Sequence, residues 1–367
     1  MNCNNSLFAD EPDIHPQLLQ NRMTVAEFIT SIGKTCFEAR NLYRGAKLFE
    51  KMILENDTIW LGIAGAGIAG GMGGSVISLM KAGFIDAICS TGAQVYHDLH
   101  FAFGLPVKAI NPKCDDNLLR EHGDTRIYDI GIREKETLEA QDEILCSFIK
   151  ETHDKIVGRV MSSWEFTYKL GRWVIKNAPH NRNSFVATAA AYEIPIFWDS
   201  LSNHSIAMNI ARMELDGYPL FLSAQKDIID SAAISYFSEG TGFVELGGGG
   251  PKNFIQQTGP TIKQILNIEY SGAQRGLQIG TAVEREGSLS SCTFGEAVTW
   301  GKYRVDNSAE LVQIWGEYSI LFPLMACYVL ETCSTRTHKN ILSNLPDKSA
   351  QLSEKYLGSI YQKEEYE

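Results

Sequence analysis

A tryptophan, a glycine and a lysine follow one another at Trp300, Gly301 and Lys302, inside the stretch FGEAVTWGKYRVD (294–306). A lysine in water is protonated at pH 7, with an ordinary pKa of about 10.4. Burial against an apolar wall disfavours the ammonium, and the neutral amine that results attacks carbonyl and imine carbons. The Trp300 indole is a candidate for that wall, with a π face that also suits a cationic amine. Glu296 lies one helical turn before Trp300 if the stretch is helical, placed to orient an ammonium or carry a proton. Without further context, such a tripeptide more often marks a core tryptophan beside a solvated lysine.

A second chemistry is suggested by glycines. GAGIAGGMGG (65–74) holds Gly65, Gly67 and Gly70 at G-x-G-x-x-G spacing, after an apolar run and before a helical pattern. Such a loop lets backbone amides approach a phosphate at a helix N-terminus. It equally serves as a tight turn for helix–sheet packing, and Asp86 begins its strand rather than ending it, so the usual ribose-binding acid is missing. ELGGGGPKN (245–253), IGTAVEREGS (279–288) and STGAQ (90–94) add three more small-residue loops after apolar runs. Several such loops at strand ends line a ligand crevice in an open α/β sheet.

The elements that must carry these loops show in the periodicity. Apolar runs at 57–64, 86–90, 107–110, 194–198, 219–224, 242–246, 276–279 and 311–315 look like buried strands, with amphipathic segments at 74–83, 205–214, 226–237 and 252–266 between them. Continuous apolar strands separated by helices imply a single doubly wound, mostly parallel α/β sheet. Thr24 and Glu27 form a capping box opening a helical pattern that runs to Ile53, as one helix or as two in tandem broken near Gly33. Residues 1–23 read as a polar arm, 24–335 as one domain and 336–367 as a charged, partly disordered tail.

Composition narrows the class. The 367 residues carry a net charge of −11, which argues against nucleic acid. No apolar run reaches the ~18 residues of a membrane span, and no signal pattern opens the chain, so a cytoplasmic protein is expected. The eight cysteines, without a C-x-x-C, read as reduced thiols, and no histidine pair has metal-ligand spacing.

STGAQVYHDLH (90–100), ELGGGGPKNFIQQT (245–258), GTA (280–282) and above all GEAVTWGK (295–302) resemble the deoxyhypusine synthase family, homospermidine synthases included; LFPLMACYVLET (321–332) is similar to its C-terminal helix. The resemblance spans roughly 24–335 and implies a Rossmann-like NAD-binding fold, commonly a homotetramer with sites at dimer interfaces. It implies hydride removal from a polyamine by NAD, capture of the aminobutyl group by Lys302 as an imine, and release to an acceptor amine. Thr91, Gly92, Ala93, Gly247, Gly248, Thr281, Ala282 and Glu317 match cofactor contacts, with Ile68 and Ala69 in the first glycine loop. Asn253, Glu286, Ser288 and Trp300 are the implied substrate contacts, with Lys302, Glu296 and Trp300 catalytic.

The pattern departs in the amine pocket. Phe254 stands for a catalytic histidine, Leu289 for an amine-binding carboxylate, Asn203 and Met208 for aspartates and His97 for a glutamate. Asp199, His204, Glu284, Glu286 and Glu296 are candidates to rebuild it. A free small amine such as putrescine is therefore expected as acceptor, giving a homospermidine-type product. A protein lysine, a guanidino-amine substrate and a catalytically silent NAD-binding paralogue are the alternatives.

Overall fold

The computed structural model describes residues 11–305 and 310–364. Its strands are β1 (Thr58–Ile63), β2 (Ala87–Ser90), β3 (Val107–Ala109), β4 (Asp124–Ile127), β5 (Ile130–Arg133), β6 (Val160–Met161), β7 (Ile196–Trp198), β8 (Phe221–Leu222), β9 (Thr241–Leu246), β10 (Arg275–Gly280) and β11 (Glu310–Trp315). Six of them form one parallel sheet in the order β11-β10-β9-β1-β2-β7. The chain builds outward from β1 to β7, then returns to β9 beside β1 and builds the other way. This is the doubly wound α/β arrangement, and it opens a crevice where β1 and β9 send their loops apart.

Alternation along the strands divides two cores. Ile59, Leu61 and Ile63 of β1, Val244 and Leu246 of β9, and Leu277 and Ile279 of β10 enter the core on one face. Trp60 and Phe243 enter the other, with Phe254, Tyr303 and Leu345. Every residue of β1, β9 and β10 is buried, as strands covered on both sides must be.

Two expected strands lie outside this sheet. Val107–Ala109 pairs antiparallel with β5 in a three-stranded sheet with β4, and Phe221–Leu222 pairs with β6 in a short ribbon. Both runs are too short, and too exposed, for a central position. The N-terminal pattern resolves into two helices, Val25–Ile32 and Phe37–Leu54, and Thr24 and Glu27 make both bonds of the capping box. Residues 11–23 of the expected arm hold neither helix nor strand; residues 1–10 lie outside the described residues.

The tail differs most from expectation. Ile341–Glu364 is a helix, and Ile341, Leu342, Leu345 and Leu352 sink into the second core. It lies against the helix Ala224–Tyr236, where Ser349 Oγ donates to Asp230 at 2.6 Å. The charges occupy the solvent side of an amphipathic helix. Just before it, Arg336 donates to the Gly83 and Asp57 carbonyls and to the Asp86 carboxylate, so Asp86 serves the fold. Among the described residues, no helix is long and apolar enough to cross a membrane.

Leu345 is fully buried. Replacing it with alanine is expected to cost about 2–5 kcal/mol in urea unfolding; an unchanged midpoint would mean that the tail helix is not docked.

Candidate functional site

The loops at the C-terminal edge of the sheet build one cavity, and a second lies beside the helix Gly249–Gln256. After β9, Gly247, Gly248 and Gly249 have φ of +78°, +108° and +57°, a run that only glycines adopt without strain. A Cβ on Gly248 would stand 2.7 Å from the Ser290 backbone, and the Gly249 N–H donates to Ser290 Oγ. The loop is thereby clamped to the segment that follows β10.

The loop after β1 is used differently from a simple phosphate cradle. The Tyr318 hydroxyl donates to the Ala64 carbonyl at 2.8 Å, and a Cβ on Gly67 would meet its ring at 2.9 Å. Gly65 and Gly67 thus admit a tyrosine. Beside them opens a cavity of about 640 Å³, lined by residues 65–67 and 69–72, the turn 127–130, Lys108 and the start of the helix Tyr318–Thr332. Of the expected cofactor contacts, Ala69 and Glu317 line it. Glu317 also caps that helix through the Ser319 N–H. Ile68 is buried in the core, with its N–H donated to Gln94.

Thr91 caps the helix Gly92–Phe103, and Ala93 lies in its first turn. Gly92 is covered by His204, whose ring a Cβ would meet at 2.3 Å. His204 Nδ1 accepts from the Ala207 N–H and Nε2 donates to the Ser200 carbonyl. Burial pushes its pKa down, so it is a neutral helix cap rather than an amine-binding group. His97 is held down at about 4 by burial and pairs with His100. Ala282 lines a small cavity of about 40 Å³ with Glu284 and Ser290, while Thr281 is exposed. Asp199 rests against the glycine loop, its carboxyl pushed up by burial, and a Cβ on Gly250 would lie 2.1 Å from it.

The second cavity, about 340 Å³, holds the lysine. Lys302 Nζ donates to Asn253 Oδ1 at 3.0 Å. Burial pulls its pKa below the ordinary lysine value, opposed by Cys292 and Glu245 and aided by Lys252. Trp300 lines the same cavity but is 64% exposed at its mouth, so the water-excluding wall comes mainly from the helix Gly249–Gln256 and Cys292. Glu296 is also exposed, and its carboxylate accepts from the Thr293 N–H at 2.7 Å as the capping box of the helix Phe294–Thr299. That bond holds its pKa down. Leu289 lines the cavity. Glu286 and Ser288 are exposed on the loop outside it, Asn203 and Met208 are exposed, and Phe254 is packed on Phe197 in the core.

Beneath the lysine lies a buried polar layer that sequence reading passed over. Glu245 and Gln278 are register partners on β9 and β10, on the sheet face that is otherwise apolar. Lys252, only 2% exposed, donates to Gln278 Oε1 at 2.7 Å and to the Cys292 carbonyl at 2.6 Å. Gln256 donates to Glu245 at 2.7 Å, and Tyr303 donates to the same oxygen at 3.2 Å. The signal available was a charged residue inside an apolar strand, in GFVEL.

This arrangement meets its relatives in a family model: deoxyhypusine synthase matches residues 27–329. The chain belongs to the deoxyhypusine synthase family. It is 35% identical over 334 residues to a deoxyhypusine synthase-like protein of Nostoc sp., covering 89% of this chain and 86% of that one. It is 34% identical over 323 residues to a Methanosarcina mazei protein named "Probable deoxyhypusine synthase 2", covering 88% and 90%. An Entamoeba histolytica structure assigned to the same family shares the fold, with a TM-score of 0.57 at 17% identity over 86% of this chain and 96% of that one.

The geometry of the glycine loop after β9 has a cost. Gly248→Ala is expected to destabilise the protein by about 1–3 kcal/mol in urea unfolding, through left-handed strain and the Ser290 contact. Wild-type stability would mean that the loop can relax away from Ser290.

Proposed function

We propose that this chain is an NAD-dependent aminoalkyl transferase in which Lys302 carries the transferred group between two amines, with a free small amine as acceptor. The observation that carries this reading is Lys302 itself: half-buried in a cavity beside the helix Gly249–Gln256, partnered by an amide oxygen, and depressed in proton affinity by burial. A carboxylate partner would hold the proton on the amine; Asn253 Oδ1 accepts the hydrogen bond without adding a charge.

The neutral amine adds to the carbon of a substrate iminium, and the departing nitrogen leaves with its electron pair and a proton. The imine now on Lys302 is attacked by the acceptor amine, and the lysine leaves in turn. NAD supplies hydride acceptance before the transfer and hydride return after it. The residues that suit it are Ala69 and Glu317 on the larger cavity and Gly247 and Gly248 on the loop after β9. The three consecutive left-handed glycines leave a backbone edge with no side chain, a surface that a pyrophosphate can approach.

Donor and acceptor class follow from the cavity's chemistry. Its lining combines Lys252 and Lys302 with Asn253, Gln256, Gln257 and Leu289, and no carboxylate lines it among the described residues. A second ammonium in this cavity would lack an ion-pair partner from this chain. We prefer a free small amine over a protein lysine as acceptor because the pocket departs from the family pattern at Phe254 and Leu289, and the far ammonium of a diamine would then take its partner from a second copy of the chain. Trp300 and Leu289, each more than half exposed on the cavity's lining, suit closure by a second copy of the chain, which would bring Glu286 and Ser288 into a shared site.

Incubation with NAD and putrescine or spermidine, followed by borohydride, is expected to leave a stable mass adduct on Lys302. Lys302→Ala is expected to lose the adduct and to lower turnover at least ~10³-fold. No adduct with any di- or polyamine, agmatine included, would overturn the transfer.

A further inference from the structure

Glu245 is the penultimate residue of β9, between the apolar Val244 and Leu246, and it is fully buried. One oxygen accepts from Gln256 Nε2 and from the Tyr303 hydroxyl; the other has no hydrogen-bond partner, and neither has Gln256 Oε1. Gln256 is a wall of the lysine cavity. Tyr303 is the residue after Lys302, wedged edge-on between Phe243 and Phe294 at ring separations of 5.7 and 5.4 Å. A single carboxyl therefore ties the cavity wall to the backbone that carries the lysine.

A glutamine would make similar bonds with no charge to bury. Burying an ionisable group without an ion-pair partner is costly, so the carboxyl at this position calls for a role that an amide cannot fill. Lys252, Lys302 and Tyr303 are the titratable groups that face Glu245. Lys302 is faced by Cys292, Glu245, Lys252 and Glu296. Lys252 is held by two neutral oxygens, which leaves its charge uncancelled beside both groups.

We propose that Glu245 is a positioning residue for Lys302: it anchors the segment bearing the amine through Tyr303 and Gln256, and its negative charge opposes loss of the lysine's proton. Burial raises Glu245 to about 7. As pH rises through that value the carboxyl ionises and favours the ammonium of Lys302, while Lys302 as an ammonium favours the ionised carboxyl. The ammonium thus promotes ionisation of the carboxyl, the carboxylate in turn delays loss of the lysine's proton, and each proton released passes to water. The role matters for catalysis only if Lys302 is the transferring amine, as proposed above; the charge coupling itself does not depend on that reading.

Competitive acetylation with trace acetic anhydride tests this on the full-length protein without NAD or amine. The extent of Lys302 labelling is read by peptide mass spectrometry from roughly pH 6 to 10. In Glu245→Gln the midpoint is expected to move toward acid by about half to one pH unit, giving roughly three- to tenfold more labelling below the midpoint, with exposed Lys263 unchanged. Glu245→Asp, which keeps the charge, is expected to return the midpoint toward wild type. A midpoint unmoved or moved toward alkali in folded Glu245→Gln overturns the proposal. So does a shift produced by Cys292→Ser and absent from Glu245→Gln, which would make the thiol the controlling group. Should Glu245→Gln fail to fold, Glu245→Asp and Tyr303→Phe decide: both are expected to keep the wild-type midpoint within ~0.3 unit, and a larger acid shift in Tyr303→Phe overturns the role of the charge. A missing borohydride adduct removes the transfer reaction and leaves this coupling standing; an unmoved midpoint does the reverse.

Discussion

Water is kept from one lysine amine by a helix seated on the polar corner of an otherwise apolar sheet. The helix Gly249–Gln256 begins in the left-handed glycine run after β9, and that run sets its path across the face occupied by Glu245 and Gln278. From it, Asn253 reaches Lys302, Lys252 reaches Gln278, and Gln256 reaches Glu245. Three contacts within little more than one helical turn thus depend on one loop conformation. If the loop slackened, solvent would reach the amine and its ordinary proton affinity would return.

This corner also explains how the family's framework is combined with a distinct pocket. The sheet order, the glycine loop and the lysine are those of a doubly wound protein in which ligands gather at the strand ends. Amides are the commonest side chains around the lysine: Asn253, Gln256, Gln257 and Gln264. Amides bind both donors and acceptors and do not repel a neighbouring ammonium, which suits a cavity that already contains two lysines.

Much of the fold was legible because strand burial leaves a continuous apolar trace: β1, β9 and β10 sit where their runs predicted. The hairpin of β4 and β5 was not, since DTRIYDIGIR is half polar and turns through Tyr128 in the left-handed region without a glycine to announce it. The C-terminal helix was hidden by its charges, although Ile341, Leu345 and Leu352 share one face. At the site, the motif located the lysine but gave Trp300 and Glu296 tasks that their positions do not support in the isolated chain. One is exposed and the other caps a helix. The residues that do surround the amine lie far away in sequence, and single-sequence spacing carries no trace of contacts made through a sheet.

The Arg336 clamp has a consequence for the order in which the molecule can be completed. Its guanidinium reaches the turn at Gly83 and the buried Asp86, about 250 positions earlier in the chain. A ribosome therefore delivers the carboxylate long before its cation, and the first half of the sheet must wait with an uncompensated anion at the edge of its core. Native packing around Asp86 is therefore completed only once Arg336 has been made, which sets a lower bound on how much of the chain must exist before the early strands can settle.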